Sequence, residues 1–192
     1  MNVQEATTRR LPDLKERHLP ENCRETINTI LKETYGYEQF RNLEIYDDLS
    51  KGKEKLCISQ GQLIENVILE AEKAWKGETQ VDNILLTAPT GSGKSLLFQL
   101  PAIYLGKEYN LLTIVVSPLK ALIVDQVESL QELGYARVAY ASSDLSPEQK
   151  MEVYRQVREG EIDLFYLSPE LLLSYDIKHF VGERRIDRKS VV

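Results

Sequence analysis

Two segments in the first half of the chain space their apolar residues three and four positions apart, the pattern of a helix with one buried face. They predict helices over residues 22–34 and 63–75, and Gly36 and Gly77 stand where these helices can end. Residues 42–57, between the two, are mixed and charged and show no clear periodicity. The pattern therefore predicts two amphipathic helices separated by a segment without a recognisable element.

The rest of the chain carries short apolar runs without alternation, which are typical of strands buried on both faces. Helical spacing returns between these runs, and Ser146, Pro147 and Gln149 have the chemistry of a helix start: an N-cap, a first-turn proline and a capping-box partner. Strands that alternate with helices of this length favour parallel βαβ units in a three-layer α/β domain, where ligands bind at the carboxyl ends of strands. The predicted strands are 83–88, 111–117, 137–141 and 162–167, and the predicted helices are 96–103, 119–133, 146–160 and a last one from 168.

The composition is that of an ordinary globular protein, with 42% hydrophobic and 28% charged residues among 192. A formal net charge of −6 gives no basic signature of a dedicated nucleic-acid surface, although a local groove can be basic on an acidic protein. Two cysteines and two histidines offer neither a disulfide framework nor zinc-type spacing. Because the chain shows no signal-peptide core and no run of membrane-spanning length, we expect a cytoplasmic protein without a membrane partner.

Residues 88–95 read APTGSGKS, a glycine-rich phosphate-binding loop (P-loop) that departs from the strict pattern only in its first residue, alanine instead of glycine. Gly91 and Gly93 let the backbone turn its N–H groups toward phosphate oxygens, and the following helix points its positive end at the same anion. Lys94 can reach the β- and γ-phosphates, and the Ser95 hydroxyl can ligate Mg²⁺. The loop therefore predicts binding of ATP with Mg²⁺, with Lys94 and Ser95 as candidate catalytic residues. The candidate ligands of the phosphates and the metal are Thr90, Gly91, Ser92, Gly93, Lys94 and Ser95.

Four segments together resemble one family. Residues 87–102 (TAPTGSGKSLLFQLPA) resemble motif I of superfamily 2 helicases, most closely the RecQ-like branch with its aromatic-Gln-x-Pro-Ala run. Residues 117–127 (SPLKALIVDQV) resemble motif Ia, 167–171 (LSPEL) resemble motif Ib, and 31–41 (LKETYGYEQFR) resemble the RecQ segment that precedes an adenine-reading glutamine. The resemblance implies a DEAD/DEAH-type ATP-dependent DNA helicase built on a RecA-like P-loop NTPase fold, with a parallel sheet that is incomplete in this chain and an N-terminal helical extension.

In the resembled family, motifs Ia and Ib hold the sugar-phosphate backbone of one strand, so single-stranded or forked DNA is the expected partner and RNA is possible. Hydroxyls, backbone N–H groups and helix N-termini can hold phosphate without reading sequence. The same Ser-Pro pairs also start helices without any nucleic acid. The residues implied to contact the strand are Ser117, Lys120, Gln126, Ser168 and Glu170.

The adenine reader is less direct, because the family position three residues after the Phe-Arg pair holds Glu44 here. A glutamine amide can both accept from and donate to the edge of adenine. Gln62, in the helix that leads to the P-loop, is the first choice and Gln60 the alternative. Tyr37 and Arg41 match the family positions that flank the base, by stacking and by polar contact.

Hydrolysis requires a Walker-B aspartate and a carboxylate that orients water, and in the resembled family both lie on the strand after motif Ib. The sequence reaches residue 192 without them, so we expect an N-terminal fragment that binds ATP and hydrolyses it negligibly alone. The expected organisation is an N-terminal extension over 1–58, the first part of the ATP-binding domain over 59–186, and a non-native tail over 187–192. A DNA translocase or restriction-type motor, and a non-catalytic ATP-sensing module, remain the alternatives.

Overall fold

The computed structural model describes residues 16–46, 55–81, 83–86, 91–174 and 177–182. Within them, the helices are α1 Glu21–Tyr35, α2 Gln60–Trp75, α3 Leu96–Tyr109, α4 Lys120–Glu132, α5 Pro147–Arg158, α6 Pro169–Ser174 and α7 Ile177–Val181. The strands are β1 Asn42–Tyr46, β2 Lys55–Ser59, β3 Thr113–Val116, β4 Val138–Ala141 and β5 Leu164–Leu167.

Strands β3, β5 and β4 form a parallel sheet in that order, so the last strand in sequence lies between the two earlier ones. Residue 116 of β3 and residue 141 of β4 both pair with residue 167 of β5, and the three strands therefore end level with one another. Helices α4 and α5 supply the crossovers between the strands. This arrangement confirms the prediction of parallel βαβ units and a partial P-loop NTPase fold.

The two faces of the sheet bury two separate cores, because successive side chains of a strand point to opposite faces. One face carries Val115, Leu164 and Tyr166, which pack with the buried faces of α1, α2, α3 and α4. The opposite face carries Ile114 and Phe165, which pack with α5 and α7. The sheet is thus the middle of three layers, as the unalternated apolar runs predicted.

The predicted helices are confirmed, and their ends follow the predicted chemistry. Gly36 adopts φ +69° directly after α1, and its N–H bonds back to the carbonyls of the last turn. Ser146 and Gln149 form both bonds of a capping box at the start of α5. Helix α3 continues through Pro101 to Tyr109.

The first predicted strand is wrong over the part that the structure describes. Residues 83–86 belong to no strand, and Leu85 is 90% exposed; residues 87 and 88 lie outside the described residues. A strand needs a neighbour for its backbone N–H and C=O groups. The described sheet pairs only β3, β4 and β5 with one another, so an apolar run is not sufficient to define a strand here.

The segment without periodicity forms an antiparallel hairpin of β1 and β2, which the sequence did not predict. Asn42 pairs with Ser59 at its base, and Leu43 pairs with Ile58 one step further out. Ile58 is 1% exposed and belongs to the larger core, against which Leu43 also packs. The hairpin is therefore anchored to the domain at its base.

Candidate functional site

The P-loop approaches α3 through two glycines in left-handed conformation. Gly91 has φ +81° and Gly93 has φ +76°, a region that residues with a side chain rarely adopt. The carbonyl of Lys94 accepts from Leu97 N–H at 3.0 Å, and the carbonyl of Ser95 accepts from Gln99 N–H at 2.9 Å. The positive end of α3 therefore begins directly after the loop. Thr90 lies outside the described residues.

Lys94 and Ser95 line a cavity of about 1110 Å³. Lys94 is exposed, and the Ser95 hydroxyl makes no capping bond to α3 although it precedes the helix. The same cavity is lined by Ser117, which follows β3, and by Gln126 of α4. The fold thus brings P-loop residues and two of the residues predicted for motif Ia to one opening.

Gln60 connects the P-loop to the chain that precedes the hairpin. Its side chain is buried, with 2% of the residue exposed. Its Nε2 donates to the Ser92 carbonyl at 3.1 Å, and its Oε1 accepts from Arg41 N–H at 3.1 Å. A Cβ at Gly93 would lie 2.6 Å from the same Nε2, so this glycine allows the close approach.

The glutamine that contacts the P-loop is thus Gln60, which the sequence offered only as the alternative to Gln62. Gln62 lies two residues further along the first turn of α2 and is partly exposed, and its backbone carbonyl accepts from Asn66 Nδ2 at 2.8 Å. Ser59 caps α2 by accepting from Gly61 N–H at 3.2 Å. The sequence could not separate the two glutamines because both lie in the first turn of one helix.

Tyr37 and Arg41 lie next to this link. The Tyr37 side chain is about half exposed and stacks on Tyr35, with ring centroids 6.5 Å apart and an interplanar angle of 14°. The guanidinium carbon of Arg41 lies 5.9 Å from the centre of the Tyr37 ring, within cation–π range. The backbone of Arg41 bonds to Gln60, which bonds to the P-loop backbone, so an accessible aromatic ring and a cation are connected to the loop through one side chain.

The residues that follow the three parallel strands lie along one edge of the sheet, because the strands end level with one another. They are Ser117, Ser142 and Ser168. Ser117 N–H donates to the Leu167 carbonyl at 3.0 Å, and the Ser117 hydroxyl accepts from Leu119 N–H at 3.4 Å. The fold therefore places the serines of both predicted Ser-Pro motifs on neighbouring strands.

Glu170 is the second residue of the short helix α6, which begins at Pro169 directly after Ser168. Its pKa lies below the ordinary value because its backbone N–H and the Ser168 hydroxyl bond to the carboxylate, with a further contribution from the positive charge of Lys120. The carboxylate is therefore charged at neutral pH.

Lys120 opens α4 and reaches across to the loop after β4. Its ammonium group donates to the Ser143 hydroxyl and to Asp144 Oδ1, the latter at 3.0 Å. This contact holds the pKa of Asp144 below its ordinary value. The lysine predicted to hold a nucleic-acid phosphate thus has a carboxylate partner in this structure.

Gln126 is joined to the helix behind the P-loop. Gln99 of α3 donates from Nε2 to Gln126 Oε1 at 3.0 Å and to the Tyr166 hydroxyl at 3.2 Å. The Tyr35 hydroxyl donates to Gln99 Oε1 at 3.3 Å. Burial raises the pKa of Tyr166 to about 12. Gln99 is therefore the centre of a largely buried polar network that connects α1, α3, α4 and β5.

A family model described as DEAD/DEAH box helicase matches residues 61–190, which include the P-loop, α3 and the whole parallel sheet. The chain belongs to this helicase family. The match begins at Gly61, next to Gln60, and covers all five residues predicted from motifs Ia and Ib.

Several curated RecQ helicases are similar to this helicase chain over most of its length. The ATP-dependent DNA helicase RecQ of Synechocystis sp. is 31% identical over 88% of the chain and 29% of its own length. The RecQ protein of Bacillus subtilis is 32% identical over 77% of the chain and 20% of its own length. The ATP-dependent DNA helicase Q-like 5 of Arabidopsis thaliana is 32% identical over 79% of the chain and 13% of its own length. The chain thus spans less than a third of each of these relatives.

The helicase chain offers limited protein ligands for Mg²⁺ in the part that the structure describes. Ser95 can give one hydroxyl oxygen, whereas no group of three His, Cys, Asp or Glu residues lies close enough to hold a metal ion there. Mg²⁺ usually binds through few protein groups together with phosphates and water. The Ser95 position therefore fits a metal that is bound together with the nucleotide. In the same described part, each helix is too short or too polar to cross a membrane.

Three residues of the candidate site were missed or ranked second by sequence reasoning. They are Gln60, Gln99 and Asp144. A buried polar residue within an otherwise apolar helix was the available signal for Gln99, since its neighbours on α3 are nearly all buried and apolar. Asp144 gave no such signal because its partner Lys120 is 24 positions away.

Proposed function

We propose that this chain is the ATP-binding part of a RecQ-type ATP-dependent DNA helicase. The observation that carries the proposal is the loop of Gly91 to Ser95, with two left-handed glycines, an exposed lysine and a helix start directly behind it. Oriented backbone N–H groups and a helix N-terminus together favour a bound phosphate group.

In this proposal the triphosphate of ATP lies over the P-loop. The backbone N–H groups of Gly91 to Ser95 hold the phosphate oxygens, and Lys94 neutralises charge on the β- and γ-phosphates. The Ser95 hydroxyl would be a protein ligand of a Mg²⁺ ion that binds together with the nucleotide. The cation supplies charge neutralisation when it is bound, and the loop supplies position.

The base of ATP lies toward Tyr37, Arg41 and Gln60. The half-exposed Tyr37 ring offers a stacking surface, and Arg41 supplies a polar contact beside it. We place the adenine-reading role at Gln60 instead of Gln62, because Gln60 already bonds to the P-loop backbone. Nε2 of Gln60 faces two P-loop carbonyls, but an amide oxygen has two lone pairs, so Oε1 can keep its bond to Arg41 N–H and still accept from the amino group of adenine.

The nucleic-acid strand lies along the carboxyl ends of the parallel strands, where Ser117, Ser142 and Ser168 follow β3, β4 and β5. The Ser117 hydroxyl and the start of α4 suit a backbone phosphate, and Ser168 provides the same chemistry one strand away. Lys120 adds a positive charge once a phosphate competes with Asp144. Gln126 and Glu170 serve as hydrogen-bonding partners, with the Glu170 carboxylate limited to accepting from a sugar hydroxyl or a base amine.

The test of ATP binding compares two exposed lysines, one in the P-loop and one in the last turn of α3. A fluorescent ATP analogue is titrated, with Mg²⁺, into the 192-residue chain and into Lys94→Ala and Lys107→Ala. Hydrogen bonds to charged groups contribute about 1.5–3 kcal/mol, so Lys94→Ala should weaken binding by about tenfold or more. Lys107 is exposed in the last turn of α3, away from the loop, and its loss should change the affinity less than about twofold.

Equal effects of the two substitutions, or no binding by the parent chain, would contradict the ATP-binding assignment. The motor function is tested on a longer protein that contains this chain. Strand displacement with ATP supports a helicase, whereas ATP-driven movement on duplex DNA without displacement supports a translocase.

A further inference from the structure

The β1–β2 hairpin joins the candidate nucleotide site at one pair of residues. Gln60 N–H donates to the Arg41 carbonyl at 2.9 Å, directly below the pair of Asn42 and Ser59. Arg41 and Gln60 are therefore opposite each other and continue the antiparallel ladder by one step. Arg41 and Gln60 are separated by 18 residues in sequence, and the pairing of β1 with β2 brings them together beside the P-loop.

The second bond of this pair is unusual, because Gln60 is also the first residue of α2. In an antiparallel ladder, a hydrogen-bonded pair exchanges two backbone bonds. Here Arg41 N–H donates to the side-chain Oε1 of Gln60 at 3.1 Å, so the side-chain oxygen takes the place of a backbone acceptor. The ladder thus fixes the orientation of the Gln60 amide.

An amide whose oxygen is fixed has little freedom left for its nitrogen. With Oε1 bonded to Arg41, the Nε2 of Gln60 points to the Ser92 carbonyl at 3.1 Å and lies 3.5 Å from the Gly93 carbonyl. The P-loop backbone is thereby connected through one side chain to the base of the hairpin. If the hydrogen bonds between Arg41 and Gln60 broke, the Gln60 amide would no longer be held against the P-loop.

We infer that the hairpin is a positioning element of the nucleotide site: its ladder runs into the Arg41–Gln60 pair and holds the Gln60 amide against the P-loop backbone. The inference rests on the proposed ATP-binding function of that loop. The hairpin acts through Gln60 and is not itself a catalytic element. Its described anchor, Leu43 with Ile58, lies two steps above the Arg41–Gln60 pair and should remain in any fair test.

Two variants test whether the hairpin acts by keeping the Arg41–Gln60 pair closed. Both replace residues 44–57 and keep Leu43 and Ile58. Because hydrogen-bonded pairs alternate along the ladder, residues 43 and 58 form the next such pair and can be closed by a two-residue Asn-Gly turn. The matched variant carries a flexible Gly/Ser linker of the native 14-residue length between the same two residues. Loop-closure entropy favours the short turn over the long linker by about twentyfold.

The labelled ATP analogue is titrated into both variants and the parent. The Asn-Gly variant should bind within about twofold of the parent, and the flexible variant should bind about threefold to tenfold more weakly, since a smaller fraction of molecules holds Gln60 in place. Equal affinities of the two variants would overturn the inference, as would equal losses in both. If the long linker prevents folding, linkers of four and eight residues give the same comparison, with affinity expected to fall as length increases.

Hydrogen exchange in the absence of nucleotide separates this inference from the proposed function. The backbone N–H groups of Arg41 and Gln60 should exchange faster in the flexible variant and at the parental rate in the Asn-Gly variant. Should the parent not bind ATP, the proposed function fails, and these exchange rates still decide whether the hairpin fixes the Arg41–Gln60 pair. Unchanged rates in the flexible variant would refute the positioning role.

Discussion

The amide nitrogen of Gln99 donates to the side-chain oxygen of Gln126 at 3.0 Å, which links the helix behind the P-loop to the helix of motif Ia. Replacement of Gln99 by leucine keeps a similar volume but leaves Gln126 and the buried hydroxyl of Tyr166 without this partner. Buried polar groups that lose their partners cost about 1–3 kcal/mol. We therefore expect Gln99→Leu to lower the free energy of unfolding by about 1–3 kcal/mol in a urea titration.

The control for this prediction is Gln131→Leu, the same substitution at an exposed position of α4. Exposed substitutions away from special features usually change stability by no more than about 0.5 kcal/mol. A similar loss in both variants would mean that the Gln99 network does not stabilise the fold.

Gly93→Ala should destabilise the protein more than Gly91→Ala. Both substitutions place a side chain at positive φ, which costs about 1–2 kcal/mol. Only Gly93→Ala adds a Cβ 2.6 Å from Gln60 Nε2, whereas among the described residues nothing lies within 4 Å of a Cβ at Gly91. We expect an additional loss of about 1 kcal/mol for Gly93→Ala, measured by urea unfolding without nucleotide.

A double-mutant cycle identifies the source of this difference. In a Gln60→Ala background, the shortened side chain at position 60 no longer reaches the loop. Gly91→Ala and Gly93→Ala should then lower the free energy of unfolding by equal amounts. A difference that persists in that background would show that Gln60 is not the obstacle.

Asp144→Asn should increase the affinity for single-stranded DNA. The carboxylate pairs with Lys120 at 3.0 Å and competes with a phosphate for the ammonium group. Exposed ion pairs are worth about 0.2–1 kcal/mol, which corresponds to a gain of up to about fivefold, measured by fluorescence anisotropy with a labelled oligonucleotide. Since the pKa of Asp144 lies below its ordinary value, its carboxylate is charged from pH 5 to pH 8, and the gain should be the same across that window.

Asp125→Asn is the matched control, because it removes the same charge from an exposed position of α4. It should change the affinity less than Asp144→Asn does. In a Lys120→Ala background, Asp144→Asn should bring no gain, and a gain there would assign the effect to net charge instead of to the ion pair.

Stability should fall above pH 10, in part because of Tyr109. Burial and then the hydrogen bond to Glu72 raise the pKa of Tyr109 to about 12 from the ordinary 10. Between these values the unfolded chain releases the phenolic proton while the folded chain retains it, so the free energy of unfolding decreases as pH rises. Tyr109→Phe removes this titrating proton. Between pH 10 and 12, the free energy of unfolding should therefore fall less steeply, by up to about 1.4 kcal/mol per pH unit, the slope that one proton contributes.

The internal control for Tyr109 lies below pH 9, where the phenol is protonated in both states. There the parent and Tyr109→Phe should differ by a constant offset from the lost bond to Glu72, about 1 kcal/mol. Parallel curves above pH 10 would show that Tyr109 does not contribute to the alkaline loss.

The elements that the sequence predicted well are those set by local chemistry. The capping box of Ser146 and Gln149 and the left-handed Gly36 depend on residues a few positions apart, and both are present. The parallel strands followed from apolar runs between helices. The prediction for residues 83–86 was wrong because an apolar run says nothing about the neighbour that a strand needs.

The site shows the same division. The P-loop could be recognised from consecutive residues, whereas the proposal of Gln60 over Gln62 rests on a contact with the Ser92 carbonyl, 32 positions after Gln60. The hairpin escaped prediction because its two strands are short and separated by eight residues, 47–54. Both features depend on contacts between residues that are far apart in the sequence, and the spacing of apolar residues gives no information about such contacts.

Helix α3 is buried along nearly its whole length, from Leu96 to Gly106, between α1, α2 and the sheet. An apolar helix of this kind is stabilised by the layers packed around it. The P-loop that leads into it therefore adopts its conformation only in the folded domain. A ligand of the loop therefore binds the native state and not the unfolded chain. By mass action, saturating ATP would raise the melting temperature of the whole domain, and ATP at a hundred times its dissociation constant would add about 2.7 kcal/mol to its stability. The energy source of the proposed motor would then also act as a folding ligand of the domain that binds it.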